Sequence, residues 1–111
     1  MPAKTSDLKI AKAFKNDLQK KLKDELVSVI LYGSRARGDT WEESDMDLLI
    51  LLKKEPKHSD KVYSDIIDTE IDYMNKTDIY ISSIPYGIRK YHHYKNILPV
   101  FYWIKKEGII I

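Results

Sequence analysis

The chain has 111 residues, of which 43% are hydrophobic and 32% charged, a balance typical of a folded domain rather than a disordered segment. The 19 Lys and Arg against 17 Asp and Glu give a formal net charge of +2, too balanced to indicate nucleic-acid binding from charge alone. The absence of cysteine excludes disulfides and thiolate metal sites. No apolar run approaches the roughly 20 residues of a membrane span, and no signal peptide is evident, so we expect one cytoplasmic domain over residues 1–111 without membrane contact.

Hydrophobic periodicity predicts helices and short buried strands in alternation. In chain order the predicted elements are a helix over 6–24, a strand over 26–32, a loop with one helical turn over 33–44, a strand over 46–52, a helix over 59–75, a strand over 77–83, a helix over 96–107 and a short strand over 109–111. Residues 87–95 give no clear prediction. The order favours an α/β (α+β) fold in which helices cover a mixed sheet.

Two of the helices carry predicted caps and buried faces. Ser6 or Asp7 is expected to cap the first helix, and Ser59 or Asp60 the second. The apolar residues of the second helix predict the stripe that faces the core, formed by Val62, Tyr63, Ile66, Ile67, Ile71 and Met74.

Two carboxylates stand at the start of the second predicted strand. Asp45 and Asp47 are two residues apart, and alternation along a strand points both side chains to the same face. Two such carboxylates repel each other, and a divalent cation between them removes the conflict. Oxygen ligands without cysteine or a well-placed histidine favour Mg²⁺ or Mn²⁺ over zinc.

Gly33 and Ser34 end the preceding strand, one loop away from these carboxylates. A glycine lets the backbone approach a ligand closely, and a helical turn that follows points N–H groups at an anion. The Ser34 hydroxyl adds a donor to a phosphate. An anion-binding turn beside two metal-binding carboxylates is the combination that binds a metal–triphosphate.

The loop between the two strands adds further candidates. Arg35 and Arg37 are interpreted as contacts to triphosphate or to an acceptor, and Arg37 is equally suited to a structural ion pair with Asp39 or Glu43. Trp41 is a candidate for stacking on a base, with packing as the alternative.

A third carboxylate is expected near the pair. Asp78 opens the third predicted strand, where it would complete a second metal position and deprotonate an attacking hydroxyl. Asp72, at a helix end, is the competing candidate. The segment Tyr91-His92-His93-Tyr94 is interpreted as a polar surface segment rather than a zinc site, since adjacent histidines share neither a strand face nor a helix stripe.

Three segments carry a family resemblance, and they are Gly33-Ser34-Arg35-Ala36-Arg37-Gly38-Asp39, Ser44-Asp45-Met46-Asp47-Leu48-Leu49 and Asp78-Ile79-Tyr80-Ile81. Together they resemble the motifs of the DNA polymerase beta-like nucleotidyltransferase superfamily, and most closely its minimal nucleotidyltransferase (MNT) group. The first two segments, within residues 27–52, are specific, and the third is a weaker match. The tail over residues 104–109 is also similar to the ending of small proteins in this group.

The resemblance implies a palm-like nucleotidyltransferase fold and a reaction. Family members transfer a nucleoside monophosphate from a nucleoside triphosphate to a hydroxyl, with Mg²⁺ and release of pyrophosphate. By resemblance Asp45 and Asp47 would bind both metals, and Asp78 would bind the catalytic metal and act as base. The expected nucleotide-binding residues, with Ser34 on the β- or γ-phosphate of ATP, are Gly33, Ser34, Arg35, Arg37 and Ser44.

The resemblance also implies a partner. Many minimal members pair with a helical HEPN-type toxin as its antitoxin, and some adenylylate a hydroxyl of that toxin. A catalytically inert antitoxin and a transferase acting on RNA remain the alternatives, with nucleic acid the less expected acceptor. A homo-oligomer stays open, because the apolar end Ile109–Ile111 has to be covered by its own sheet or by another subunit.

Overall fold

The computed structural model describes residues 2–39 and 44–111 and forms one mixed sheet with helices on both faces. The helices are α1 (Thr5–Leu22), α2 (Ser34–Arg37), α3 (Lys61–Thr77), α4 (Ile88–Tyr94) and α5 (Pro99–Glu107), and the strands are β1 (Leu26–Tyr32), β2 (Met46–Leu52), β3 (Ile81–Gly87) and β4 (Ile109–Ile110). The strand order is β3-β2-β1-β4, with β2 and β3 parallel and the other pairs antiparallel. The predicted mixed sheet covered by helices is therefore confirmed.

The alternation of side chains along β2 divides the core into two layers. Even-numbered residues of β2, such as Leu48 and Ile50, pack under α1 and α3. Odd-numbered residues, such as Leu49 and Leu51, pack with α5 on the opposite face. Both faces of the sheet are covered, which explains why β1 and β2 are short continuous apolar runs. Asp47 interrupts that apolar pattern on the α5 side.

The third strand lies four residues later than predicted. Helix α3 continues to Thr77, whose hydroxyl donates to the carbonyl oxygen of Tyr73 at 2.7 Å, and Asp78 then adopts a left-handed conformation with φ 59°. The prediction of a strand over 77–83 was wrong for residues 77–80, because the helix ends at Thr77, whereas residues 81–83 do lie in β3. Pro85 lies inside β3, where an edge position tolerates a residue without an N–H.

Helix α3 also turns a different face to the core. Its buried residues are Ile66, Thr69 and Tyr73. The Tyr73 hydroxyl donates to Asp17 at 2.6 Å and Lys21 donates to the Thr69 hydroxyl at 2.8 Å, so polar contacts to α1 allow these two side chains to be buried. The members of the predicted stripe that are exposed instead are Ile67, Ile71 and Met74.

The helix starts differ from the predicted caps. Helix α1 begins at Thr5 with Lys4 in the cap position, so Ser6 and Asp7 lie within its first turn. Asp60 does precede α3, but its carboxylate accepts the N–H of Lys57 at 2.8 Å and makes no cap hydrogen bond to the helix. Helix α5 begins at Pro99 rather than at residue 96.

Helix α4 occupies most of the segment for which the sequence gave no clear prediction. Tyr91 packs edge-on against Phe101 with ring centroids 5.2 Å apart, while His92 and His93 are exposed. Within residues 2–39 and 44–111, no helix is both long and apolar enough to cross a membrane.

Candidate active site

The predicted carboxylate pair lies at the beginning of β2. Asp47 is half-buried on the α5 face of the sheet, opposite Tyr32 of β1 and in register with Ser82 of β3. Asp45 precedes the strand and is exposed, and the next residue is held to β3 by its N–H, which donates to the carbonyl oxygen of Tyr80 at 2.9 Å. Asp47 thus lies within the sheet, whereas Asp45 lies just before β2 and is exposed to solvent.

Gly33 brings the end of β1 directly against this pair. Its φ of 80° and the lack of a side chain are both required, since a Cβ at this position would lie 2.4 Å from Oδ2 of Asp47. Helix α2 starts at Ser34, and the N–H groups of Ala36 and Arg37 donate to the carbonyl oxygen of Gly33 at 3.1 and 3.2 Å. The glycine–serine turn and the second carboxylate therefore form one continuous surface.

The surroundings of Asp47 disfavour the charged form of its carboxyl. Burial raises the pKa of its carboxyl, and the neighbouring Asp45 and Glu107 raise it further, while the guanidinium of Arg37 lowers it. Burial and the same carboxylate raise the pKa of Tyr32 to about 12, so its phenol stays protonated. A site that crowds negative charge in this way fits a bound cation.

Arg37 forms the ion pair that the sequence offered as an alternative to nucleotide contact. Its Nε lies 3.1 Å from Oδ2 of Asp39, and its Nη1 lies 3.1 and 3.0 Å from the two carboxylate oxygens of Glu107. The alternative partner Glu43 and the stacking candidate Trp41 lie outside the described residues.

Arg35 lies in the interior rather than at the surface of the site. Its Nη1 lies 2.6 Å from Oδ1 of Asp7 in α1, and its Nε and Nη2 donate to the carbonyl oxygen of Ser44 at 2.9 and 2.7 Å. Both side chains of the ion pair are about 95% buried, with 5% and 4% exposed. Arg35 thereby fixes the residue that precedes Asp45, which is a structural task and not a nucleotide contact.

Asp78 is not on the sheet. It caps the C-terminus of α3, is exposed, and precedes the first residue of β3 by three positions. The β3 residue in register with Asp47 is Ser82, which shares its face of the sheet. Among the described residues, no group of three His, Cys, Asp or Glu side chains is placed to hold a metal ion.

Three residues of the site were not found from the sequence. Tyr32 and Ser82 flank Asp47 on the neighbouring strands, and their roles depend on register. Glu107 joins the site from the other end of the chain, because its Oε1 accepts the N–H of Gly33 at 3.2 Å. The tail over residues 104–109, which resembles the ending of small family members, contains Glu107, but that resemblance assigned no role to this residue.

A mixed sheet with a glycine–serine turn against Asp47 has the arrangement expected of a nucleotidyltransferase. Residues 5–98 match the polymerase beta nucleotidyltransferase family, and the chain belongs to that family.

Relatives of known sequence and structure agree with this assignment. The chain is 49% identical over 79 residues to the Methanocaldococcus jannaschii protein MJ0141, which is provisionally named a protein adenylyltransferase, and the match covers 71% of this chain and 78% of that protein. A toxin–antitoxin structure with AMP-PNP shares the fold with a TM-score of 0.59 at 12% identity, covering 89% of this chain and 70% of that one. A Sulfolobus solfataricus protein, provisionally described as a nucleotidyltransferase, shares it with a TM-score of 0.55 at 21% identity, covering 95% and 78%.

Proposed function

We propose that this chain transfers AMP from ATP to a hydroxyl of a partner macromolecule, and that the partner is a HEPN-type toxin for which the chain is the antitoxin. The observation that carries the proposal is the contact between Gly33 and Asp47, which sets an anion-binding turn directly against a crowded carboxylate. The 49% identity to a protein named as an adenylyltransferase supports a protein as the acceptor. The toxin–antitoxin structure that shares the fold supports the kind of partner.

The donor set fits Mg²⁺, with Mn²⁺ as the substitute. Asp45 and Asp47 would hold the ion, which neutralises the triphosphate and aligns it for displacement. The raised pKa of Asp47 supports this assignment, since a carboxylate crowded by burial and by Asp45 is stabilised by a cation. Asp78 would reach the ion only from the end of α3, and Ser82 offers a neutral oxygen on the sheet beside Asp47.

The reaction needs three tasks from the chain. The backbone and hydroxyl of the Gly33–Ser34 turn would hold the phosphates, and Arg37, which is held by Asp39 and Glu107, would supply a positive charge near Asp47. The acceptor oxygen forms a bond to the α-phosphorus, the bond from that phosphorus to the bridging oxygen breaks, and pyrophosphate leaves. The hydroxyl proton passes to a carboxylate of the site or to water.

Transfer of label tests the proposal. The chain is incubated with ATP labelled at the α-phosphate and Mg²⁺, with and without the protein encoded beside it. We expect label on that protein, lost in Asp45→Asn and Asp47→Asn and retained in Asp24→Asn, a control that removes an exposed carboxylate between α1 and β1.

The other outcomes identify the alternatives. A stable complex that never carries label would overturn the enzymatic proposal and leave an inert antitoxin. Label on added RNA instead of on protein would replace the proposed acceptor by a nucleic-acid end. Label on the protein that persists in Asp47→Asn would exclude the carboxylate pair as the site.

A further inference from the structure

Glu107 connects the last helix to the phosphate-binding turn. Its carboxylate accepts the N–H of Gly33 at 3.2 Å and receives two hydrogen bonds from Nη1 of Arg37 at 3.1 and 3.0 Å. The Glu107 side chain is only 15% exposed, although that of Arg37 is 45% exposed. One partly buried carboxylate therefore holds two groups that border Asp47.

We propose that Glu107 is a positioning residue for nucleotide binding, acting through the backbone N–H of Gly33 and the guanidinium of Arg37. The proposal rests on the function proposed above and adds to it a residue on which the geometry of the phosphate site depends.

The fold fixes Glu107 from both sides. It is the last residue of α5, and β4 pairs with β1 immediately afterwards, with Ile109 opposite Leu31 and Ile110 opposite Ile30. Extending this antiparallel register by two residues brings residue 107 level with Gly33. Gly108, which lies between Glu107 and the start of β4, has no space for a side chain, because a Cβ would lie 2.3 Å from the carbonyl oxygen of Ile104. The pairing of β4 with β1 therefore places the Glu107 carboxylate beside the Gly33 turn.

The charges around Arg37 support this placement. Glu107 and Asp39 both form ion pairs with Arg37, with N–O distances of 3.0 and 3.1 Å. Of these two carboxylates, only Glu107 also accepts the N–H of Gly33. Arg37 compensates for the charge and is held beside Asp47 by the same contact.

A matched arrangement elsewhere in the chain provides the control. Glu55 accepts the N–H of Gly87 at 2.9 Å and lies 4.0 Å from Nζ of Lys90, in a region that includes no predicted site residue. Glu55→Gln therefore removes a carboxylate that holds a glycine N–H and faces a cation, without touching the candidate site.

Equilibrium binding of Mg²⁺–ATP is measured for the wild type, Glu107→Ala, Glu107→Gln, Arg37→Ala, the double variant and Glu55→Gln, together with the urea midpoint of each. We expect Glu107→Ala to raise the Kd by about 10- to 100-fold, the range typical of residues that orient a ligand-binding group. Glu107→Gln is expected to lose less, because its amide oxygen still accepts the Gly33 N–H. Glu55→Gln should bind like the wild type even where its urea midpoint falls.

Two further readouts separate positioning from a stabilising role. Exchange of the Gly33 amide proton should accelerate in Glu107→Ala and not in Glu55→Gln. The double variant of Arg37 and Glu107 should bind no worse than the weaker single variant, since the two residues act as one unit.

The binding results distinguish a failure of the proposed function from a failure of the positioning role of Glu107. A wild type that fails to bind Mg²⁺–ATP would overturn the proposed function itself. If the wild type binds Mg²⁺–ATP and both Glu107→Ala and Glu107→Gln bind it with the wild-type Kd, the positioning role alone is overturned. If Glu107→Ala does not fold, Arg37→Ala and Glu107→Gln still decide, and wild-type Kd values for both would reject the proposal.

Discussion

The carboxylate of Asp47 lies against the backbone of Gly33 so closely that a Cβ on residue 33 would come within 2.4 Å of its Oδ2. The contact joins β1 to β2 at the point where the antiparallel pair ends, because Tyr32 is the residue opposite Asp47. It also places the turn that would hold phosphates and the group that would hold a metal within one contact distance. Any side chain at residue 33 therefore changes both functions together.

Gly33→Ala is expected to destabilise the chain and abolish Mg²⁺–ATP binding. The φ of 80° disfavours alanine, and strain of this kind costs roughly 1–3 kcal/mol in the free energy of unfolding. The clash with Asp47 adds to that cost, so Asp47→Ala in the same chain should recover part of the stability but none of the binding. Urea unfolding of the two single variants and the double variant checks this, and strictly additive losses would show that the contact does not couple the residues.

The turn at Gly33 and the strand that carries Asp47 could be predicted from the sequence, whereas the contribution of Glu107 could not. Strands β1 and β2 were predicted with their observed bounds because both are apolar runs ended by glycine or charge. The shared face of Asp45 and Asp47 stays a prediction, since Asp45 precedes the strand. The pairing of Gly33 with Glu107 spans 74 residues and depends on how β4 joins the sheet, which no local pattern indicates. The end of α3 was misplaced because Thr77 and Ile79 also fit the start of a strand.

Asp47→Asn should stabilise the free protein while eliminating transfer. Burial and Asp45 raise the pKa of the Asp47 carboxyl in the folded state above its ordinary value, so the folded chain binds more protons than the unfolded chain between the unfolded-state and folded-state pKa values. Stability therefore falls as pH rises through that window and stays lower above it. Asparagine removes this dependence, and we expect a gain of about 0.5–1 kcal/mol at pH 7 without metal.

Thermal melting without metal, from pH 4 to pH 8, measures this effect. The two melting curves should converge at the acid end and separate toward neutral pH, with the asparagine variant higher. Excess Mg²⁺ should raise the melting temperature of the wild type and leave that of the variant unchanged. A wild type that is more stable than the variant at pH 7 without metal would contradict the crowding of Asp47.

Arg35→Met should be among the most damaging single changes. The Arg35–Asp7 pair is buried, and removing one partner of such a pair costs about 3–5 kcal/mol because the other charge is left without compensation. The pair of Arg37 and Glu107 offers a contrast, because the Arg37 guanidinium is exposed and Arg37→Met should therefore cost much less stability than Arg35→Met. Chemical unfolding of both variants compares them directly.

The same variants separate the two arginines by function. Loss of Mg²⁺–ATP binding in Arg35→Met should follow loss of the fold, since this guanidinium contacts Asp7 and the carbonyl oxygen of Ser44. Arg37→Met should bind more weakly while it remains folded. An Arg35→Met chain that keeps its stability yet fails to bind nucleotide would return Arg35 to the phosphate site.

Asp78→Asn tests the third carboxylate without disturbing the helix end. Asparagine tolerates the left-handed conformation that residue 78 adopts, with φ 59°, so the cap of α3 is preserved while the charge is lost. Since Asp78 precedes β3 and Ser82 holds the place beside Asp47, we expect Asp78→Asn to slow transfer less than tenfold, whereas Asp47→Asn should slow it by more than about 100-fold. Single-turnover transfer at saturating ATP measures both, and equal losses in a folded Asp78→Asn chain would establish Asp78 as the third ligand. The reciprocal change, Ser82→Asp, should strengthen metal binding if the sheet position beside Asp47 is the one that the reaction uses.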